Sequence, residues 1–554
     1  MRCLCVALSA VACSGGWVDP DTPEHAMATT SYEGAEHKLV FSDEFEVPGR
    51  TFNDGHDPRW TAVNKNDYTN MALHFYRADA VTTSGGKLNI TTEFKPTTFL
   101  SAEDTTGTVE MVKRTKGYSS GLIQGWNKFC FTGGIMEIKA KLPGKGHVGG
   151  LWPAMWLLGA LARATYVGST DWIWPWSYGK CDRSQQRKQE INACELNPHY
   201  KMHPYEGRGA PEIDLIEAMP GTGTMNYNLK KPYYSASLQV APGRAENRPV
   251  EGKRPLKGQW YDKGLRYGAN ASVNAFFYGE VLKHKNKEET YVADAISANK
   301  AIEETHFEKD HTYRFEWSTT PGRESLRWFL DGEIVFEILP EALKFTGAKM
   351  PDEPMHVLLN TAVSSTWGFP APCPLGCACS CYDCGDAKCD CGMPTGFCGN
   401  LPAHYEVESV RIYQNPDEPT HKVGCSTDAK PTKAFIAGHK RRYYDPYNGE
   451  KEPLQPQQTG GAKCHADADC GGDTLRGVCY SGKCACRAGH IGPKCLAHPG
   501  FDDIIYDHEA SVGFSAPYVP SPLVRALAGA AALLAAVIAL HISSRRNARK
   551  AVST

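Results

Sequence analysis

"GAPEIDLIEAMPG", residues 209–221, places Glu212, Asp214 and Glu217 within six consecutive positions. Side chains of a β-strand alternate between its two faces, so Glu212 and Asp214 lie together. Glu217 follows Glu212 by an odd step, which in a regular strand turns it to the opposite face. A β-bulge, one extra residue between Asp214 and Glu217, returns it to the shared face. The spacing therefore predicts a bulged strand with three carboxylates on one side. An acidic edge strand with no chemistry fits the same composition, and the triplet alone does not separate the two readings.

Carboxylates grouped in this way suit the cleavage of glycosidic bonds. One must be ionised to attack, and a second must carry a proton for the leaving oxygen. On that reading Glu212 is the nucleophile and Glu217 the acid/base. Asp214 lies between them, where it orients one neighbour by a hydrogen bond and raises the pKa of the other. The surrounding residues favour this chemistry. Five of the twelve Trp fall between Trp152 and Trp176, just ahead of the acids. Indole faces stack on sugar rings, so Trp152, Trp172, Trp174 and Trp176 are candidate substrate contacts, whereas Trp156 suits a core.

The flanking chain reads as antiparallel strands. In "IMEIKAKLP" (135–143), Met136, Ile138, Ala140 and Leu142 share one face, and Glu137, Lys139 and Lys141 share the other. "LRWFLDGEIVFEI" (326–338) reads as a hairpin turning at Asp331-Gly332. Long amphipathic helices are scarce, so a large all-β sandwich over 36–415 is the expected architecture. The chain is polar and irregular over 416–463. A six-cysteine module fills 464–495, and a linker spans 496–522.

The ends suggest a compartment. Residues 1–16 read as a signal peptide. "LVRALAGAAALLAAVIALHI" (523–542) is long enough to span a bilayer, and its basic flank places the tail 543–554 in the cytosol. The bulk of a single-pass type I protein then lies on the lumenal or outer side. Cleavage after Cys13 leaves eighteen of the 21 cysteines, an even number suited to disulfides. Eight of them crowd into 373–398, a pattern that a cytosolic protein uses for metal and a secreted one for disulfides. This insert either caps an end of a cleft or staples a loop. Asn89 and Asn270 begin glycosylation sequons. The net charge of −2 gives no reason to expect a nucleic-acid partner. No cofactor or metal is expected, and the expected partners are a polysaccharide and the membrane.

Several stretches resemble glycoside hydrolase family 16. "PEIDLIEA" resembles its bulged catalytic strand, "GLWPAMWLL" its Trp-Pro segment, and "MHVLLNTAVSSTW" and "YEVESVRIYQ" its late strands. "GLIQGWNKFCFTGGIMEIKAKLPG", "TDWIWPWSYGKCD" and "GCSTDAKPTKAFIAGHKRRYYDPYNGE" are similar to the fungal β-1,6-glucan synthesis-associated subgroup. The resemblance implies a concanavalin A-like β-jelly roll with an open cleft and action on β-glucan with retention. Carried over by position, it implies the same roles for Glu212, Asp214 and Glu217. The C-terminal anchor, the 373–398 insert and the cysteine module depart from the fungal pattern. The 464–495 module resembles an EGF-like domain, which implies the pairs Cys464–Cys479, Cys470–Cys484 and Cys486–Cys495. A β-glucan-binding receptor on the same scaffold, without turnover, is the alternative reading.

Overall fold

The computed structural model describes residues 16–498, apart from 105–108, 178, 180–189, 192–198, 222–231, 241–262, 275–280, 285–286, 291–294, 344–347, 371–372 and 473–475. The signal peptide, most of the linker, the apolar 523–542 stretch and the tail lie outside the described residues. Among those described, no helix is long and apolar enough to cross a membrane.

Two large sheets face each other. One runs Ala271–Val273, Ala295–Ala301, Tyr233–Gln239, Glu212–Met219, Trp152–Gly159, Met355–Ala362, and on to short strands at Phe131–Thr132 and Lys422–Val423. The other is centred on His311–Ser318, Gly134–Lys141, Ala403–Gln414 and Lys87–Asp104. Nearly every pairing is antiparallel, the exception being His74–Tyr76 beside Val109–Ser120. The fold is thus the all-β, jelly-roll-like sandwich expected.

Alternation builds the core between the sheets. Met136, Ile138, Ala140 and Leu142 are fully buried. Their outward neighbours Glu137, Lys139 and Lys141 pair with Arg314, Glu408 and Glu406. The hairpin turns where expected. Asp331 and Gly332 carry φ of 49° and 85°, both positive as a two-residue turn of this kind demands. Trp17 also packs into the core, edge-on to Phe129, so the fold begins well ahead of residue 36.

A buried ion cluster ties the first strands together. The Arg50 guanidinium donates to both Asp43 oxygens at 2.7 and 2.8 Å and to Asp57 at 2.8 Å. Trp60 Nε1 adds a third donor to Asp43 at 2.8 Å. Burial pushes the Asp43 carboxyl up, but the charges of Arg50 and Arg59 and the hydrogen bonds from Arg50 and Trp60 together outweigh it and hold the group below the ordinary carboxylate range.

The 416–463 segment, polar in sequence, packs closely on the sandwich. Cys425 is bonded to Cys130. The buried Arg163 side chain donates to the carbonyls of Tyr443 and Pro453, and Tyr443 stacks on Trp126. Lys65 pairs with Asp445 at 2.6 Å, and Tyr166 donates to Glu450 at 2.5 Å. Arg208 bridges Glu353 and the Pro431 carbonyl. Composition did not reveal this packing because its few buried apolar residues, Phe435, Ile436, Tyr443 and Leu454, are scattered without a period among arginine-to-carbonyl bonds and ion pairs.

The cysteines of the two cysteine-rich stretches pair locally. Within 373–398 the bonds are Cys373–Cys379, Cys377–Cys391, Cys381–Cys389 and Cys384–Cys398. Within 464–495 they are Cys464–Cys479, Cys470–Cys484 and Cys486–Cys495, around the hairpin Gly477–Tyr480/Lys483–Cys486. The insert packs Phe397 and Met393 against Tyr118 and Leu151. None of its residues lines the cleft described next.

Candidate active site

The catalytic strand of the sequence reading is Glu212–Met219, and it is bulged. Against Trp152–Gly159, Trp156 faces Asp214 while the adjacent Met155 faces Ile216, so Leu215 is passed over. Against Tyr233–Gln239, Asp214 faces Ser237 and Glu217 faces Ser235, so Leu215 and Ile216 together oppose Ala236 alone. Both apolar side chains are buried in the core. Burying two successive residues is what restores Glu217 to the side of Glu212 and Asp214. A bulge interrupts the ladder, and Trp328 Nε1 from the opposite sheet donates to the Asp214 carbonyl at 2.8 Å.

All three carboxylates line one open cleft with a volume of about 240 Å³. Its floor is the outward face of two neighbouring strands: Trp152, Ala154, Trp156 and Leu158 from one, Asn360 and Ala362 from the other. Asp67, Asn70, Thr170 and Trp174 contribute walls. Asp214 is buried, whereas Glu212 and Glu217 reach the cleft partly exposed. Gln239 Nε2 donates to Asp214 at 2.9 Å, and Ser235 Oγ to Glu217 at 3.4 Å.

The three acids are electrostatically distinct. Desolvation in the cleft and the Glu217 charge push Glu212 up to about 7, against hydrogen bonds from Trp174 and Asp214 that pull it down. Burial and the Glu212 charge hold Asp214 well above its ordinary value. Burial and the Asp214 charge do the same for Glu217. Glu212 accepts from the Trp174 N–H and the Asp214 hydroxyl, which favours its carboxylate form, whereas Asp214 and Glu217 are both held toward their protonated forms.

A stability test follows. The folded-state pKa of Glu217 lies above its unfolded value of about 4.3, so its contribution to stability is complete below that pH and lost as pH rises. Glu217→Gln should therefore melt higher than the parent near pH 7, with the difference closing near pH 4. Calorimetry at the two pH values checks it; a gain of equal size at both would mean that proton binding is not its cause.

The four candidate tryptophans separate. Trp152 and Trp174 line the cleft; Trp152 stacks on Trp367 with ring centres 4.3 Å apart, and Trp174 Nε1 donates to Glu212 Oε2 at 2.5 Å. Trp172 is exposed but does not line the cleft. Trp176 is a correction. It is 1% exposed and has no face to offer a sugar. Its Cβ lies where a side chain on Gly209 would meet it at 2.2 Å, so it packs beneath the entry to the catalytic strand. Trp156, read as core, instead reaches the cleft and donates to Asn360 at 2.8 Å. Asn360, Trp367, Gln239 and Asp67 were not singled out from sequence. Asn360, a polar residue in the apolar run "MHVLLNTA", was the available signal. Asn89 has its amide engaged by the Ser84 and Lys87 carbonyls, while Asn270 sits exposed in a turn.

The described residues thus form an all-β sandwich with an acidic, tryptophan-lined cleft. Residues 5–373 match a model of the β-glucan synthesis-associated protein SKN1/KRE6/Sbg1 family, and the chain belongs to that family. It is 30% identical over 456 residues to β-glucan synthesis-associated protein KRE6 of Candida albicans, covering 77% of this chain and 52% of that protein. It is 31% identical over 449 residues to SKN1 of the same organism, covering 77% and 51%. The chain thus spans about half the length of the curated relatives it matches. Among solved structures, the laminarinase catalytic domain of Thermotoga maritima is similar at 18% identity and a TM-score of 0.36, over 69% of this chain and 99% of that one. The endo-β-1,3-glucanase of Pyrococcus furiosus is similar at 17% identity and a TM-score of 0.37, over 70% and 98%.

Proposed function

We propose that the protein is a membrane-anchored, retaining β-glucan glycosidase/transglycosylase with a role in β-1,6/β-1,3-glucan synthesis or cell-wall organisation. Glu212 attacks the anomeric carbon as Glu217 protonates the leaving oxygen, and a glycosyl-enzyme forms. Glu217 then withdraws a proton from water or a sugar hydroxyl, which releases the glycosyl group with its configuration retained. Asp214, neutral and hydrogen-bonded to Glu212, orients the nucleophile. The observation that carries this reading is the bulge, which brings three carboxylates of unequal acidity into one indole-lined cleft. The names of the relatives support the β-glucan context. Eight disulfide bonds among the described residues fit an oxidising, lumenal or extracellular compartment, with 523–542 as the anchor.

Indoles beside the nucleophile favour a sugar acceptor over water by holding it close. The detergent-solubilised chain, given laminarin and a labelled glucan oligomer, should place label in products longer than the acceptor. Linkage analysis then shows whether β-1,6 bonds form. Cleavage without label transfer at high acceptor makes it a hydrolase. Tight laminarin binding with no turnover favours a binding protein.

A further inference from the structure

Trp174 reaches the nucleophile from a segment that belongs to neither sheet. Its indole N–H donates to Glu212 Oε2 at 2.5 Å, although the ring itself is 42% exposed. A side chain so open to solvent needs its backbone held. The Trp174 amide donates to the Thr170 carbonyl at 2.8 Å, and Ala210, two residues before Glu212, donates its amide to Ile173 at 3.0 Å. The Trp172 carbonyl accepts the amide of Glu190 at 2.8 Å. Glu190 is in turn gripped by Arg442 at 2.6 and 2.7 Å. At the start of the segment, Arg163 and Tyr166 are bonded to Tyr443, Pro453 and Glu450. Every one of these last contacts comes from the stretch 424–454.

We propose that Trp174 is a positioning residue for Glu212, fixing the carboxylate for attack and favouring its ionised form, and that residues 424–454 hold Trp174 in place. The proposal rests on the reading of Glu212 as nucleophile. Among the described residues, the charged groups that line the cleft with Glu212 are Asp214 and Glu217 of its own strand and Asp67 of the wall. The described parts of the flanking strands offer neutral groups, Gln239 and Ser235, which bond Asp214 and Glu217, from one side and the Trp152 and Trp156 indoles from the other. No cation is among the groups that shift its acidity. The Trp174 N–H is therefore the donor from outside the strand that stabilises the carboxylate form, alongside the Asp214 hydroxyl.

The test is Trp174→Phe in the full chain, which keeps a ring against substrate and removes the N–H. The acid limb of the kcat/KM–pH profile should move up by about one unit, with the alkaline limb, set by Glu217, unmoved. KM should change less than kcat. An unshifted acid limb overturns the positioning role, because loss of packing alone lowers the whole profile without moving it. Arg442→Ala, a surface change, should give a smaller upward shift that Arg442→Lys partly reverses. No shift in Arg442→Ala, with a shift in Trp174→Phe, overturns the part given to residues 424–454.

A second measurement needs no turnover. The melting difference between parent and Glu212→Gln, followed against pH, reports the titration of Glu212. Because its folded-state pKa is raised, the parent loses stability relative to the variant as pH rises from about 4.3, levelling off above its folded pKa. In a Trp174→Phe background that levelling should occur about one unit higher. A parent without glucan turnover removes the proposed function, yet this difference still tests the bond between Trp174 and Glu212. Equal levelling points in both backgrounds overturn it.

Discussion

Glu212→Gln should leave a chain that folds and binds β-glucan but turns it over at least about 10⁴-fold more slowly, the scale on which nucleophile removal acts in enzymes with covalent intermediates. The amide keeps the shape of the carboxyl, and its oxygen still accepts the Trp174 N–H, so the cleft loses little geometry. What it loses is the negative charge that makes the carboxylate oxygen nucleophilic toward the anomeric carbon. Binding is checked by laminarin affinity, and turnover by reducing ends and by label transfer. Near-normal turnover in a preparation free of parent enzyme removes Glu212 from the nucleophile's role. Deleting Leu215 is a harsher probe of the same strand. It erases the bulge and its paired burial, leaving the three acids on one face at a regular spacing with Glu217 displaced along the strand.

The largest effect on stability should come from Arg50→Met. The apolar replacement fills similar space but leaves Asp43 and Asp57 buried without their cation. Breaking one side of a buried ion cluster costs about 3–5 kcal/mol, far more than losing a surface pair. Urea unfolding at pH 7 measures it as a lower midpoint with little change in slope. The pH dependence has a definite sign. Asp43 is held below its ordinary pKa in the parent, so it contributes stability present above about pH 3.9 and lost as pH falls through its folded value. The deficit of Arg50→Met should therefore narrow in acid, where the parent also loses the benefit. A deficit independent of pH would point to lost packing against Phe45 and Phe52, whose rings lie 5.7 and 5.1 Å from the guanidinium.

Where a strict period governs, the sequence was informative. Two-residue alternation marked the strand around Met136, and a step of five between Glu212 and Glu217 puts all three acids on one face only if the strand is bulged. Asp331-Gly332 marked its turn because few dipeptides accept two positive φ values. Where no period applies, reading failed. Trp172, Trp174 and Trp176 alternate as strand residues do, yet they lie in an irregular segment, and each ring meets different surroundings. Trp156 was read as core because neighbouring apolar residues hid its face. Gln239 and Trp328 act on Asp214 from strands distant in sequence, and nothing local in either stretch announces it. The partners of Arg163 are backbone carbonyls, which every residue carries and no composition reveals, and Arg208 meets Glu353 from 145 positions away.

The dependence of the cleft on residues 424–454 also has a meaning in time. Chains are made from the N-terminus at roughly 5–20 residues per second, so the roughly 280 residues separating Trp176 from Leu454 emerge over about 15–55 seconds. During that interval the acids and the tryptophans exist, but the stretch that locks Arg163, Tyr166 and Glu190 does not. The Cys130–Cys425 bond closes across the same delay, joining residues 295 apart. A nascent chain thus acquires these contacts to the cleft only once residues 424–454 have been translated, and a product truncated before residue 424 carries Glu212, Asp214, Glu217 and Trp174 without them.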